Sequence, residues 1–271
     1  MPPKGKENKK TMGLRRWIGW MALPILLFVS TMAWAGHPLI TDDTGTQGKG
    51  GFQLEVTGQY DTDKETVGGV STESKGVQAA TTLSYGLIET ADLVLGIPYR
   101  WAEIKADGVT TYDEKGVSDM TLDLKWRFFE SQGLSLAIKP GLRFPTGNDA
   151  KGLGTGRTGY QAFLLGSLEA APWAFHSNLG YIGNESKADE EKHLWHASLA
   201  ATYEILKGLT IVGNVGAERN RDKAADRDPA FLIGGIVYAL FDNVNVDLGV
   251  KYGLTSAETD WSYMAGMAVK F

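Results

Sequence analysis

The chain has no cysteine, so no disulfide can hold it. An exported chain of this size without disulfides must rely on backbone pairing and packing. Proline is sparse, at nine residues, while glycine reaches 34. After residue 35 there is no apolar run long enough for a spanning helix. Basic excess is also missing. Residues 1–35 hold six of the 27 bases and one of the 32 acids, so the remainder carries 21 bases against 31 acids, a net −10. A nucleic-acid partner is excluded on that balance. No zinc-type ligand spacing or phosphate loop is present, and no cofactor or metal is expected. Gly152-Leu-Gly-Thr-Gly156 lacks the phosphate-loop frame and reads as a flexible loop.

What is present begins at the amino terminus. Lys4, Lys6, Lys9, Lys10, Arg15 and Arg16 precede the apolar stretch Ile18 to Trp34, which ends in Ala33-Trp34-Ala35. A basic head, an apolar core and small residues at Ala33 and Ala35 predict a secretory signal peptide over 1–35, cleaved before Gly36. A membrane anchor is the alternative, but the run is short and broken by Pro24. Met12 begins a tidier signal and is a second candidate start.

From Gly51 onward, twelve stretches alternate in polarity, near 51–60, 76–86, 91–101, 117–128, 133–144, 158–170, 173–183, 193–205, 208–218, 229–241, 243–253 and 260–271. A two-residue period over about ten residues is a tilted membrane-crossing strand. In the fourth, Met120, Leu122, Leu124, Trp126 and Phe128 alternate with Asp119, Thr121, Asp123, Lys125 and Arg127. Short links near 87–90, 129–132, 171–172, 206–207 and 242 alternate with long polar ones at 61–75, 102–116, 145–157, 184–192, 219–228 and 254–259. The pattern predicts an all-β fold: a transmembrane antiparallel up-and-down barrel of about twelve strands, with short periplasmic turns and long external loops over 51–271. A soluble sandwich or lipocalin-like barrel also alternates, but it needs no aromatic belts. Tyr99, Trp101, Trp126, Phe128, Phe144, Trp173, Phe175, Trp195, Tyr203, Trp261 and Phe271 lie on apolar faces toward strand ends. The facing of 230–241, apolar on both sides, is open.

The other faces then line the lumen. They carry Glu55, Arg100, Asp119, Asp123, Lys125, Arg127, Lys139, Arg143, Glu169, His176, His196, Glu204, Asp247, Lys251 and Lys270. A turn at 129–132 sets Asp123 opposite Lys139 and Asp119 opposite Arg143. Such pairs either fill the lumen or set a selective constriction; filling is expected of a small barrel. Residues 36–50 are too polar to span and too short for a domain; they are expected on the periplasmic side, as a plug in the mouth or a loose tail. Loop acids such as Asp113, Glu114, Asp189 and Glu190 read as a solvated face.

Three resemblances follow. The last strand, Trp261 to Phe271, resembles the closing strand of bacterial outer-membrane barrels, whose assembly machinery reads a terminal aromatic with alternating apolar neighbours. Tyr263, Gly266, Val269 and Phe271 fit that signal, and Met264 stands where a polar residue is usual. His196-Ala-Ser198 resembles the His-x-Ser of the twelve-stranded outer-membrane phospholipase, which uses a Ser/His/Asn set. Its flanks differ and it would face inward, so the hydrolase is a lesser alternative and no enzyme is expected. Finally, Pro38-Leu-Ile-Thr-Asp-Asp43 and Pro145-Thr-Gly147 are similar to the exported proteins of the meta-pathway of phenol degradation (MetA) family. That resemblance implies a transporter of small, possibly aromatic or hydrophobic, solutes in the outer membrane. The expected partners are outer-membrane lipid, lipopolysaccharide, the barrel assembly machinery and the solute, with the chain a monomer. A structural barrel with a closed lumen is the main alternative.

Overall fold

The computed structural model describes residues 36–67 and 69–271. The predicted signal peptide, with Ala33 and Ala35, lies outside the described residues. Thirteen strands follow one another: β1 (Phe52–Val67), β2 (Val70–Ile88), β3 (Ala91–Ala106), β4 (Val109–Val117), β5 (Met120–Ser131), β6 (Leu134–Phe144), β7 (Gly159–Ala170), β8 (Trp173–Gly183), β9 (His193–Leu206), β10 (Leu209–Glu218), β11 (Ala230–Phe241), β12 (Val244–Gly253) and β13 (Trp261–Lys270). Each pairs antiparallel with its neighbours, and β1 pairs with β13 to close the ring. β4 and β5 pair with successive parts of β3, so together they form one stave broken at residues 118–119. The barrel therefore has twelve staves. No described helix is long and apolar enough to cross a membrane.

Two-residue turns join one end of the barrel. At Gln132-Gly133 both residues have positive φ, 50° and 81°, as a tight hairpin with right-handed strand twist requires. The other end differs from expectation. Residues 61–75 and 102–116 are not loops; β1–β2 and β3–β4 continue as paired ribbons to turns near Gly69 and at Asp107-Gly108. The β1–β2 ribbon is polar on both faces and the β3–β4 ribbon mixes Ile104, Val109 and Tyr112 with charged residues, so neither carries a sustained apolar face, and the backbone ladder needs none where both sides are wet.

Parity divides the wall. Leu93, Leu124, Trp126, Phe128, Leu164, Trp173, Leu179, Trp195, Leu199 and Leu248 are exposed on the outer face, with no charged residue among them. Their inward neighbours are polar: Asp92, Asp123, Lys125, Ser167, His176, Asn178, Ser198, Asn214, Asp247 and Lys251 are all buried. This is the inverse of a soluble domain, since the buried side chains are more polar than apolar. β11 resolves in the same way. Leu232, Ile236 and Tyr238 face out, while Phe231 and Ile233 point in and cluster with Met264. Met264 thus replaces a polar residue because it completes an apolar patch on the inner wall. The ring closes on Phe52 and Phe271, whose ring centroids lie 5.8 Å apart.

Candidate functional site

The inner wall is a lattice of short polar side chains, and residues 36–50 are its main partner. His37 Nδ1 lies 2.6 Å from Asp247 Oδ1 on β12. Pro38 sits against β11 and β12, where Cβ atoms at Gly235 and Gly249 would come within 2.8 and 2.6 Å of its ring. Only glycine leaves room there. Asn214 Oδ1 on β10 accepts from the backbone N–H groups of Ile40 and Thr41, at 2.8 and 3.1 Å. Thr41 Oγ1 donates to Ser198 Oγ on β9 at 2.7 Å. Asn178 on β8, with its amide oriented to suit, donates to the Asp42 carbonyl and accepts from the Asp42 N–H. Thr44 N donates to Ser167 Oγ on β7, and Thr44 Oγ1 bonds Ser135 Oγ on β6 at 2.5 Å. The segment then reaches the turn end, where Asp92 accepts from Gln47 N and Gly50 N donates to Gly86 O.

One residue concentrates charge. The Asp42 carboxylate spans two strands, with Oδ1 2.9 Å from Lys125 Nζ on β5 and Oδ2 2.8 Å from Lys139 Nζ on β6. Asp43 adds a second contact to Lys125, at 3.2 Å. Burial alone would raise the Asp42 carboxyl, but the two ammonium groups outweigh it and hold it well below the usual carboxylate range. Lys125 is only 7% exposed, a cost acceptable only for a charge so paired.

At the loop end the polarity is reversed. Asp119, at the break between β4 and β5, accepts from Gly147 N at 3.0 Å, Thr155 N at 2.7 Å and Thr155 Oγ1 at 2.8 Å. Ser118 Oγ donates to the Leu153 carbonyl, and Thr146 Oγ1 donates to the Ser118 carbonyl. The Pro-Thr-Gly stretch is therefore the anchor of loop 145–157, which buries Leu153.

The expected cross-strand pairs are corrected. Asp123 faces Gly141, two residues further along than expected, and takes Gln161 Nε2 at 2.6 Å. Arg143 faces Thr121 and donates to Asn184 at 2.8 Å. The turn lies at 132–133, and a bulge between Arg127 and Phe129 shifts the register again. Parity survives both changes, so the faces hold while the partners move. Other predicted residues are dispersed. Arg127 pairs with Glu130, Lys251 with Glu258, and Glu204 accepts from Gly208 N at a turn. Glu55 approaches Gly36 on the inner face, whereas Arg100 and Glu169 are exposed. Lys270 lies half-buried on the inner face of β13.

His176 and His196 do not meet. His176 Nδ1 bonds Ser167 Oγ at 2.9 Å, and His196 bonds Ser198 and Glu218. Ser135, Ser167, Asn178 and Asn214 carry much of the seat but hold no charge, so a search for charges passes over them. Their signal is an uncharged polar residue at inward positions of several neighbouring strands.

The fold is similar to three solved structures. A COG4313 outer membrane channel from Pseudomonas putida F1 is 17% identical, with a TM-score of 0.65 over 84% of this chain and 98% of that one. The KdgM porin is 12% identical, with a TM-score of 0.51 over 81% and 99%. The translocator domain of the autotransporter NalP from Neisseria meningitidis is 14% identical, with a TM-score of 0.50 over 83% and 89%. At these identities the likeness is one of fold. No curated protein matches the chain. The family described as "Putative MetA-pathway of phenol degradation" matches residues 39–271, from within the inserted segment through the terminal aromatic, and the chain belongs to it.

Proposed function

We propose that the chain is a passive outer-membrane channel for small apolar or aromatic solutes, closed at rest by residues 36–50 acting as a plug. The observation that carries this reading is the Asp42 bridge to Lys125 and Lys139. A segment held in a lumen by ion pairs and hydroxyl contacts can leave without breaking the barrel ladder. The turn end is the periplasmic side, and a segment that runs from the lumen wall to that end supports a plug reached from the periplasm. The family description supports an aromatic solute, and the inward Phe231, Ile233 and Met264 offer it an apolar surface. Export through a signal cleaved before Gly36, insertion guided by Phe271, and a monomeric barrel in lipid complete the reading. Solute passage breaks no bond.

The test is planar-bilayer conductance and liposome swelling. Asp42→Lys places three ammonium groups together and should raise open conductance well above that of the native chain. The rival is a structural barrel with a permanently closed lumen. It predicts that both proteins stay silent to ions and to small phenols.

A further inference from the structure

One cluster in the wall is not used by solute passage. His196 Nε2 lies 3.1 Å from Ser198 Oγ, and His196 Nδ1 lies 3.3 Å from Glu218 Oε2 on the neighbouring strand. Glu218 is the direct cross-strand partner of His196. Ser198 and His196 are 4% and 6% exposed, and the Phe163 ring stands edge-on to the imidazole at 5.7 Å. A hydroxyl, an imidazole and a carboxylate in that order are the parts of an activated nucleophile.

The plug shows where a substrate atom would sit. Thr41 Oγ1 lies 2.7 Å from Ser198 Oγ and 2.7 Å from Asn214 Nδ2. It accepts from the Asn214 amide and donates to the serine. The donors therefore run one way, from Asn214 through Thr41 and Ser198 to His196 Nε2. This direction leaves the Nδ1 proton of a neutral imidazole facing Glu218, the tautomer that a general base needs. A single point within hydrogen-bond reach of both the nucleophile and an amide donor is the geometric requirement for an oxyanion position. Thr41 oxygen occupies it.

We infer that Ser198, His196, Glu218 and Asn214 form a latent esterase site in the lumen wall, masked by Thr41 while the plug is seated. The substrate class is a small carboxylic ester that enters the same lumen, so the inference rests on the channel reading. The Ser198 oxygen bonds the ester carbon as its proton passes to His196 Nε2. The carbonyl electron pair moves to oxygen, where the Asn214 amide donates. Collapse breaks the carbon–alkoxide bond, and the alkoxide takes the proton from His196. Water then attacks the acyl-serine, giving its proton to His196, which returns one to Ser198 as the acid leaves. The net reaction is ester plus water to acid plus alcohol. Ser198 is the nucleophile, His196 the base, and Glu218 a positioning residue that acts through His196.

The test uses full-length protein in liposomes and a tagged alkyl fluorophosphonate, with the modified peptide identified by mass. Ser198 should be labelled at least tenfold faster in Asp42→Lys than in the native chain, and the adduct should vanish when Ser198→Ala is added. His196→Ala should lower labelling roughly a hundredfold. Glu218→Gln should lower kcat for hydrolysis of 4-nitrophenyl acetate at little changed KM, with rescue by Glu218→Asp. Thr41→Gly provides a second unmasked chain. Unmodified Ser198 in both Asp42→Lys and Thr41→Gly, or labelling indifferent to His196, overturns the site. Conductance of Asp42→Lys is read separately: a conducting but unlabelled barrel sinks the esterase and leaves the channel standing.

Discussion

Two aspartates hold the two inserted pieces of this barrel, and they do so from opposite sides. Midway along the lumen, Asp42 belongs to the inserted segment and is gripped by lysines of the wall. At the loop end, Asp119 belongs to the wall and grips the backbone of the inserted loop through Gly147 and Thr155. The first arrangement is ionic. Its strength depends on charge, reaches several ångströms and can be reversed in sign by one substitution. The second consists of short, directional hydrogen bonds to neutral donors, which vanish with small displacement and have no sign to reverse. The comparison teaches that one substitution can turn the segment's ionic anchor from attraction to repulsion, whereas the loop's anchor can only be removed.

The largest effect should come from reversing the ionic anchor. Asp42→Lys should cost the seated segment about 3–5 kcal/mol, toward the lower end because Asp42 keeps some solvent contact. Adding Lys125→Asp should recover part of the loss of closure. Independent effects in conductance or in protease access to residues 36–50 would break the pairing. Next comes Asp119→Ala, which removes three hydrogen bonds to a charged acceptor and should cost about 2–3 kcal/mol. Limited proteolysis should then cut within loop 145–157 while the folded barrel keeps its heat-modifiable migration.

Acid should act on the ionic anchor in one direction only. The Asp42 carboxyl is depressed in the folded state, so its contribution is full above its unfolded pKa of about 3.9 and is lost as pH falls through the lower folded value. Conductance should stay flat from pH 7 to pH 5 and rise only under strong acid. A rise near pH 6 would mean that another group controls the segment. The smallest effect belongs to the neutral contacts of the segment. Thr44→Ala removes the single bond to Ser135 and should cost about 1 kcal/mol, read as a modest gain in protease access.

Much of the barrel was legible because lipid demands a strict two-residue period. The staves around β11 have their apolar set on the face the alternation gives, whereas β11, apolar on both sides, took its facing only from the folded barrel. The β1–β2 and β3–β4 ribbons were not legible beyond the membrane, since a wet ladder imposes no polarity pattern. The charged inner face of β5 and β6 was legible in Lys125 and Lys139, but their partner was not. Register across the hairpin follows from a two-residue turn and a bulge, which polarity does not encode. Threading of residues 36–50 is set by many weak contacts to strands distant in sequence, and alternation is blind to it. Thr41, Asp42 and Thr44 were legible as polar residues seeking partners, without saying that Ser198, Lys139 and Ser135 would provide them.

The segment leads directly into β1, yet its contacts lie on strands made long afterwards; His37 and Asp247 are 210 residues apart. Most of its seat is assembled from the eight strands β5 to β12 and does not exist until they stand side by side. β1 also waits for β13, its partner in closing the ring. Contacts this far apart form late, because the chain between them must first be ordered. On the plug reading, each new molecule therefore passes through a stage as a finished but unstoppered cylinder, before residues 36–50 find their place.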